Sequence, residues 1–302
     1  MAISRNQLVK ELEPGLNALF GLEYKQYENQ SADIFTTESS DRAFEEEVML
    51  SGFAQAQVKP EGGGVVYDNA QETFTARYTN ETIALAFAIT EEAIEDNLYD
   101  RLASRYTKAL ARSMAQTKQV KGAVPFNNGM PGGTFTSGDG VTLFNTAHPT
   151  IAGTVSNTLA TAADLNETSL EQSLIDINAF TDERGLKIAA KGMKMIIPSA
   201  LQFTAERLMA SAGRTGTADN DINAIKSMGM IPQGYSVNNY LTDTDAFFII
   251  TDVPNGMKHF ERTPMTTKME GDFDTGNVRY KARERYVFGV SDYRGVFASP
   301  GA

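Results

Sequence analysis

The stretch FAQAQVKPEGGGVVYDNAQETFTARY, residues 53–78, decides how the rest of the chain is read. Phe53 to Val58 and then Val65-Val66-Tyr67 and Thr73 to Tyr78 carry strand chemistry, and Lys59-Pro60-Glu61-Gly62-Gly63-Gly64 lies between them as a tip. Three successive glycines let the backbone reverse but supply no side chain to bury, so the tip belongs to no core and must reach outward. Ordering each residue of such an arm costs on the order of 1–2 kcal/mol of conformational entropy, which a lone subunit has little means of recovering. A neighbouring subunit lying along the arm recovers it. The segment therefore reads as an assembly device, with Lys59, Pro60, Glu61, Gly62, Gly63 and Gly64 as contacts between subunits.

Downstream, Ile83, Leu85, Phe87 and Ile89 alternate with Ala84, Ala86 and Ala88, the pattern of a strand. Thr90 then caps a helix with Glu91 and Glu92 in its first turn, and Ile94, Leu98, Leu102, Tyr106, Leu110 and Met114 recur at a spacing of four. Gly122 marks its predicted end. A rod from Thr90 to Lys121 is roughly 45 Å long, nearly the diameter of about 50 Å expected for a compact chain of this size. Upstream, Leu8, Leu12, Leu16 and Leu19-Phe20 form an amphipathic stretch that Pro14 is expected to kink or break. Tyr24 to Arg42 is polar, either disordered or an arm ordered by a partner, and Phe44 to Leu50 reads as a short acidic helix or bridge.

Residues 122–157 are loop-like. Thr168 to Glu171 has the form of a capping box before a helix with Leu170, Leu174, Ile177 and Phe180, ended at Gly185. Met193 to Ile197 is a predicted strand, and Ser199 with Gln202 caps a helix bearing Leu201, Ala205, Leu208 and Met209, which completes an αβα unit. After a loop at Gly213 to Asn220 come a short helix, Ile222 to Met228, and strands at Tyr235 to Tyr240 and Ala246 to Thr251. In the last of these, Phe247-Phe248-Ile249-Ile250 has the chemistry of a strand buried on both faces. Alternation returns at Val278, Tyr280, Ala282, Tyr286, Phe288 and Val290, and the intervening Arg279, Lys281, Arg283 and Arg285 make a basic edge.

The 302 residues are 41% hydrophobic, enough for a full core, and no run reaches the roughly 18 apolar residues that span a bilayer. Met1-Ala2-Ile3-Ser4-Arg5 lacks the apolar segment of a signal peptide, so a cytoplasmic protein is expected. Without cysteine there are no disulfides and no thiolate chemistry, and any assembly is held by burial and strand pairing. A net charge of -11 argues against a nucleic-acid reader; it suits either a plain soluble surface or the acidic wall of a container.

Signals for chemistry are weak. His148 and His259 stand alone and read as structural, and no nucleophile elbow, phosphate loop or dinucleotide fingerprint is present. The acidic clusters Asp219/Asp221, Asp243/Asp245 and Glu270/Asp272/Asp274 read as solvated turns, since Gly276 is displaced from the position a calcium loop needs. Arg279 to Arg285 favours an ion-pairing surface over a phosphate contact. The expectation is thus no catalytic residue, no cofactor and no metal; a metal-dependent hydrolase built on a carboxylate cluster is a distant alternative.

ETIALAFAITEEAIEDNLYD (81–100), MKMIIPSALQFTAERLM (193–209) and YKARERYVFGVSDYRGVFAS (280–299), taken in this order after the extended loop, resemble the major capsid proteins of tailed bacteriophages with the Hong Kong 97-like fold, most of all the Mu-like head subunits. The resemblance implies an α+β fold with an N-terminal arm (1–50), an extended loop (51–82), and a peripheral domain (83–156 and 253–302) with its spine helix at 90–121. It places an axial domain at 157–252. It also implies hexamers and pentamers in an icosahedral shell around double-stranded DNA, assembled in the host bacterial cytoplasm, with Arg279 and Arg283 among the intersubunit contacts. A portal, a decoration protein and a separate scaffolding protein are implied partners, the last because the arm is short and lacks sustained heptads. Lys59 sits where some relatives crosslink. A shell of the same fold enclosing protein cargo, as in encapsulins, is the alternative.

Overall fold

The computed structural model describes residues 5–90, 92, 99–213, 221–272 and 276–302, with side chains at 13–90, 92, 103–213, 221–272 and 276–302. In chain order its elements are α1 (Arg5–Gln26), β1 (Thr36–Ser39), β2 (Phe44–Leu50), β3 (Glu72–Thr79), β4 (Glu81–Ile89), α2 (Tyr99–Asn127), β5 (His148–Thr150), β6 (Gly153–Val155) and α3 (Glu167–Asn178). There follow β7 (Gly192–Ile197), α4 (Gln202–Ala210), α5 (Ala224–Met228), β8 (Tyr235–Val237), β9 (Phe247–Thr251), β10 (Met257–Gly271), β11 (Val278–Val290) and β12 (Val296–Ser299).

The first sheet has the order β1-β10-β11-β4, with β11 antiparallel to both neighbours and β1 parallel to β10. Alternation along β11 turns Val278, Tyr280, Ala282 and Tyr286 inward and Arg279, Lys281 and Arg283 to solvent. The helices α1 and α2 cover the inner face, where Leu16, Phe20, Leu110, Met114, Met269 and Tyr280 share one apolar cluster. Asn17 Oδ1 accepts hydrogen bonds from Thr267 Oγ1 at 2.7 Å and Tyr280 Oη at 2.9 Å, so these three polar groups of the interface are paired.

The second sheet runs β12-β9-β7-β8. Phe247, Phe248 and Ile249 are buried, as a strand covered on both faces requires. Phe126, from the last turn of α2, packs its ring 4.9 Å from that of Phe248, so the spine helix ends inside the core of the second sheet. The C-terminal segment serves both sheets, with β11 in the first and β12 in the second.

Several elements depart from expectation, each for a physical reason. The helix α2 passes Gly122 and Pro125 and ends at Asn127. Gly122 is a point of close approach instead of a stop, because a Cβ there would overlap the Ser31 side chain. The buried face of α2 advances with the true helical period through Ala103, Leu110, Ala111, Met114 and Ala115, which leaves Tyr106 half exposed. The predicted first turns at residues 91 and 93–98, and the side chain of Leu102, lie outside the described residues.

Upstream, α1 is continuous across Pro14, its far half held by buried Leu16 and Phe20. Residues 27–42 are ordered by the chain's own body: Ile34 and Phe35 are buried and β1 pairs with β10. Phe44 to Leu50 is the strand β2, and β2 pairs with β3 in place of Phe53 to Val58. Its three glutamates each find a partner: Glu45 accepts from Ser40, Glu46 faces Arg77 at 3.6 Å, and Glu47 pairs with Lys258. The helix α3 starts one residue after its cap Asn166, in a box closed by Ser169, and stops at Asn178 well before Gly185. Neither Ser199 nor Gln202 caps α4, which follows a single 3-10 turn. The strand β10 was hidden by its polar Thr, Lys and Glu and by Pro264, which sits where the register with β11 shifts. The basic row is no edge, because β11 is central to its sheet.

Candidate assembly surface

The arm is built from β2 and β3 outward. A single residue, Asn80, separates β3 from β4, so the arm is a continuation of the first sheet. Its root is pinned: Asn80 Nδ2 donates to Ser40 Oγ at 2.8 Å and to the Arg42 carbonyl at 3.0 Å, and Tyr78 Oη bonds Ser291 Oγ, which also donates to Glu47. Lys258 closes this group by pairing with Glu47 and, at 3.1 Å, with Glu38. Burial outweighs the hydrogen bond with Ser291 and holds the Tyr78 hydroxyl above its ordinary range. A last rung links Ser51 N to the Gln71 carbonyl at 2.9 Å.

Beyond that rung, 52–70 contains no strand. Ala54 N donates to Asp68 Oδ2 at 2.7 Å, and a turn closes at the tip with Gly63 N bonded to the Pro60 carbonyl at 3.0 Å. Gly62 adopts φ 73°, a conformation for which glycine is suited. Backbone N–H groups of Ala54 and Asn69 hold the Asp68 carboxyl below its usual range. Arg184 Nη2 reaches the Asn69 carbonyl at 2.6 Å and ties one limb to the loop after α3. Among their polar residues the limbs hold large apolar side chains in solvent: Val58 is 95% exposed, Tyr67 93%, Val65 and Val66 66% each. Lys59 through Gly64 thus stand together at the tip.

Arg279 and Arg283 do not join them. They lie on the outward face of the first sheet, opposite Ala88 and Ala84 of β4. Arg279 is paired with Asp272. Among the acidic clusters, Glu270 is taken by Lys268, and Asp243 Oδ1 accepts from the backbone of Asp245 and Ala246, as in a solvated turn. Asp219 and Asp274 lie outside the described residues. Among the described residues no group of three or more His, Asp or Glu is placed to hold a metal ion.

The histidines are built into the frame. His148, fully buried, lies flat on the Tyr293 ring at 3.8 Å, with Nδ1 2.6 Å from Asp139 and Nε2 3.1 Å from Asn157 Oδ1. Asn157 in turn donates to the carbonyls of Leu143, Tyr293 and Val296. Beside it Arg294 bonds Glu183 and the Thr181 carbonyl, both at 2.8 Å, and Asp292 at 3.3 Å. Every contact is internal, and no nucleophile meets the imidazole. His259 stacks on Phe288 and meets Thr37 Oγ1 at 3.2 Å; burial pushes its imidazole down to about 4. One group escaped the sequence reading: Glu284, on the inward phase of β11, is 1% exposed, and burial pushes its carboxyl up to about 7.

Comparison with known proteins agrees with this architecture. Residues 73–299 match the model of a family described as phage capsid protein. No curated protein sequence matches the chain. Among solved structures, a virus-like particle from Pyrococcus furiosus is similar over 95% of this chain and 98% of that one, with TM-score 0.54 and 10% identity. The capsid of a native GTA particle aligns over 90% of each chain, with TM-score 0.56 and 13% identity. A structure from Mycobacterium phage Adephagia also aligns over 90% of each, with TM-score 0.53 and 14% identity. The fold is the Hong Kong 97-like one.

Proposed function

Because the chain belongs to the phage capsid protein family, we propose that it is the major head subunit of a tailed bacteriophage, closing hexamers and pentamers into an icosahedral shell around double-stranded DNA. The observation that carries the reading is the arm: its root is pinned to the body, while its far limbs hold Val58, Val65, Val66 and Tyr67 in solvent with no cover from their own chain. Uncovered apolar surface on a projecting element is what a neighbouring copy would bury. The protein's task is structural, and its site is the surface by which copies meet.

Lys59 to Gly64 supply the tip of that contact, and Arg279 and Arg283 supply a second, charged one. Domain boundaries follow the elements: a peripheral part built on the first sheet and α2, an axial part on the second sheet. Assembly takes place in the host cytoplasm with a separate scaffolding protein and a portal, and with a decoration protein where one is present. The similarity to a virus-like particle keeps a cargo-enclosing compartment as a second reading.

Deleting Glu61 to Val65 tests the proposal. The variant should remain soluble and folded by circular dichroism yet form few or unstable particles under the electron microscope. Normal, equally stable shells from the deletion would refute the role of the tip. DNA inside wild-type shells supports a phage head, and protein cargo supports the compartment.

A further inference from the structure

Beneath residues 27–39 lies a group of charges that the shell reading does not use. Lys118 of α2 stands 3.6 Å from Glu261 of β10 and 3.6 Å from Glu284 of β11, with the Tyr286 ring 4.9 Å from its ammonium. Both carboxylate oxygens of Glu284 and the Tyr286 hydroxyl are buried without a hydrogen-bond partner, as is Nε2 of His259. A small cleft beside Lys118 and His259 is lined on its other side by Asn29, Ser31, Phe35 and Thr37.

That segment is stitched to two of the three elements that supply the charges, α2 and β10. Gln119, next to Lys118, accepts from Ser31 N at 3.3 Å and Ser31 Oγ at 3.2 Å and donates to Asn29 at 2.9 Å. Thr36 to Ser39 pairs with Lys258 to Glu261. With Glu284 protonated, one ammonium balances one carboxylate, Glu261; with Glu284 ionised, it faces two, and the Glu284 carboxylate is itself buried without a hydrogen-bond partner, a costly arrangement.

We propose that Lys118, Glu261 and Glu284 form a proton-operated latch that holds the segment 27–39 down on α2 and β10 when Glu284 carries its proton and loosens it when the proton leaves. The other titratable groups facing the cluster do not set its midpoint. Burial drives the Tyr24 and Tyr286 hydroxyls upward and keeps His259 neutral above about pH 4, while Glu81 is paired with Lys121 and Glu23 with Lys108. The raised midpoint of Glu284, about 7, sets the upper end of the change at neutral pH. The sign follows: the docked form holds the extra proton, so docking is tightest below the ordinary carboxylate range, weakens as pH rises from there toward 7, and is constant above it, where both forms are ionised.

The latch belongs to the single subunit, so its test needs no shell and is independent of the shell reading. Hydrogen exchange of amides 29–39 in the full-length chain, corrected for intrinsic rates, is measured from about pH 5 to pH 8.5. Protection should fall as pH rises from about 5 to about 7, by up to about tenfold per pH unit, the limit for one linked proton, and level off above that. Glu284→Gln should keep the segment protected throughout. Glu261→Gln, which leaves one carboxylate for one ammonium, should do the same and serves if the first variant does not fold. Protection that is independent of pH in the wild type, or lost equally in a folded variant, would overturn the proposal.

Discussion

Arg294→Ala is the substitution that the structure predicts to be among the most damaging. The guanidinium side chain is 3% exposed, bonds Glu183, Asp292 and the Thr181 carbonyl, and lies 4.5 Å over the Tyr293 ring. Removing one member of a buried ion pair costs about 3–5 kcal/mol, and an orphaned buried carbonyl costs about 1–3 kcal/mol more. The two costs overlap, so a net loss of about 5 kcal/mol is expected, comparable to the whole stability of many domains. A pH signature separates this cause from simple loss of volume. Burial already raises the Asp292 carboxyl, and without Arg294 the folded-state value rises further above the unfolded one. The penalty is then largest at high pH and shrinks as pH falls toward about 4, where both states hold the proton. Urea unfolding of the unassembled subunit, followed by circular dichroism at pH 5, 7 and 8.5, measures it, with Arg294→Met as the volume control. A loss below about 1 kcal/mol, or one of equal size at all three pH values, would refute the reasoning.

Two further outcomes are expected. Met114→Ala, at a position 1% exposed on the inward face of α2, should cost about 2–5 kcal/mol in the same assay, while Tyr106→Ala, 49% exposed on the same helix, should cost less than half as much; the reverse order would mean the wrong face is buried. Free subunits should bind duplex DNA weakly and release it with modest added salt, since 38 acidic side chains oppose 27 basic ones. Strong binding in a titration, abolished by Arg279→Glu with Arg283→Glu, would make the outward face of β11 a DNA contact and end the idea of an inert wall.

What was legible in the sequence followed the strength of the local pattern. Strict alternation exposed β4 and β11, a run of four large apolar residues exposed β9, and leucines at helical spacing exposed α3. Elements whose stability comes from distant partners were hidden. Phe44 to Leu50 reads as acidic until Lys258 and Arg77 arrive from elsewhere in the chain, and Pro14 reads as a break until the packing beyond it is known. The arm was visible because glycine chemistry is local; its root was misplaced because strand pairing is not. Glu284 was obscured by Arg283 and Arg285, which make the stretch look like surface. Its parity was the available signal, since it shares the phase of Val278, Tyr280, Ala282 and Tyr286.

The arm has mechanical consequences that follow from where its hydrogen bonds stop. From Leu50 and Glu72 back to Asn80 it is a braced ribbon continuous with the sheet, so its direction is dictated by the body. From Gly52 to Ala70 its ties are local apart from Arg184 at Asp68 and Asn69, and ten residues of chain from the rung to the tip reach at most roughly 35 Å. Such a limb behaves as a line paid out from a stiff rod. On the proposed reading the rod would aim at a neighbouring copy, and the line would absorb differences in its distance and tilt. One sequence can then satisfy surroundings of unequal geometry without repacking either sheet.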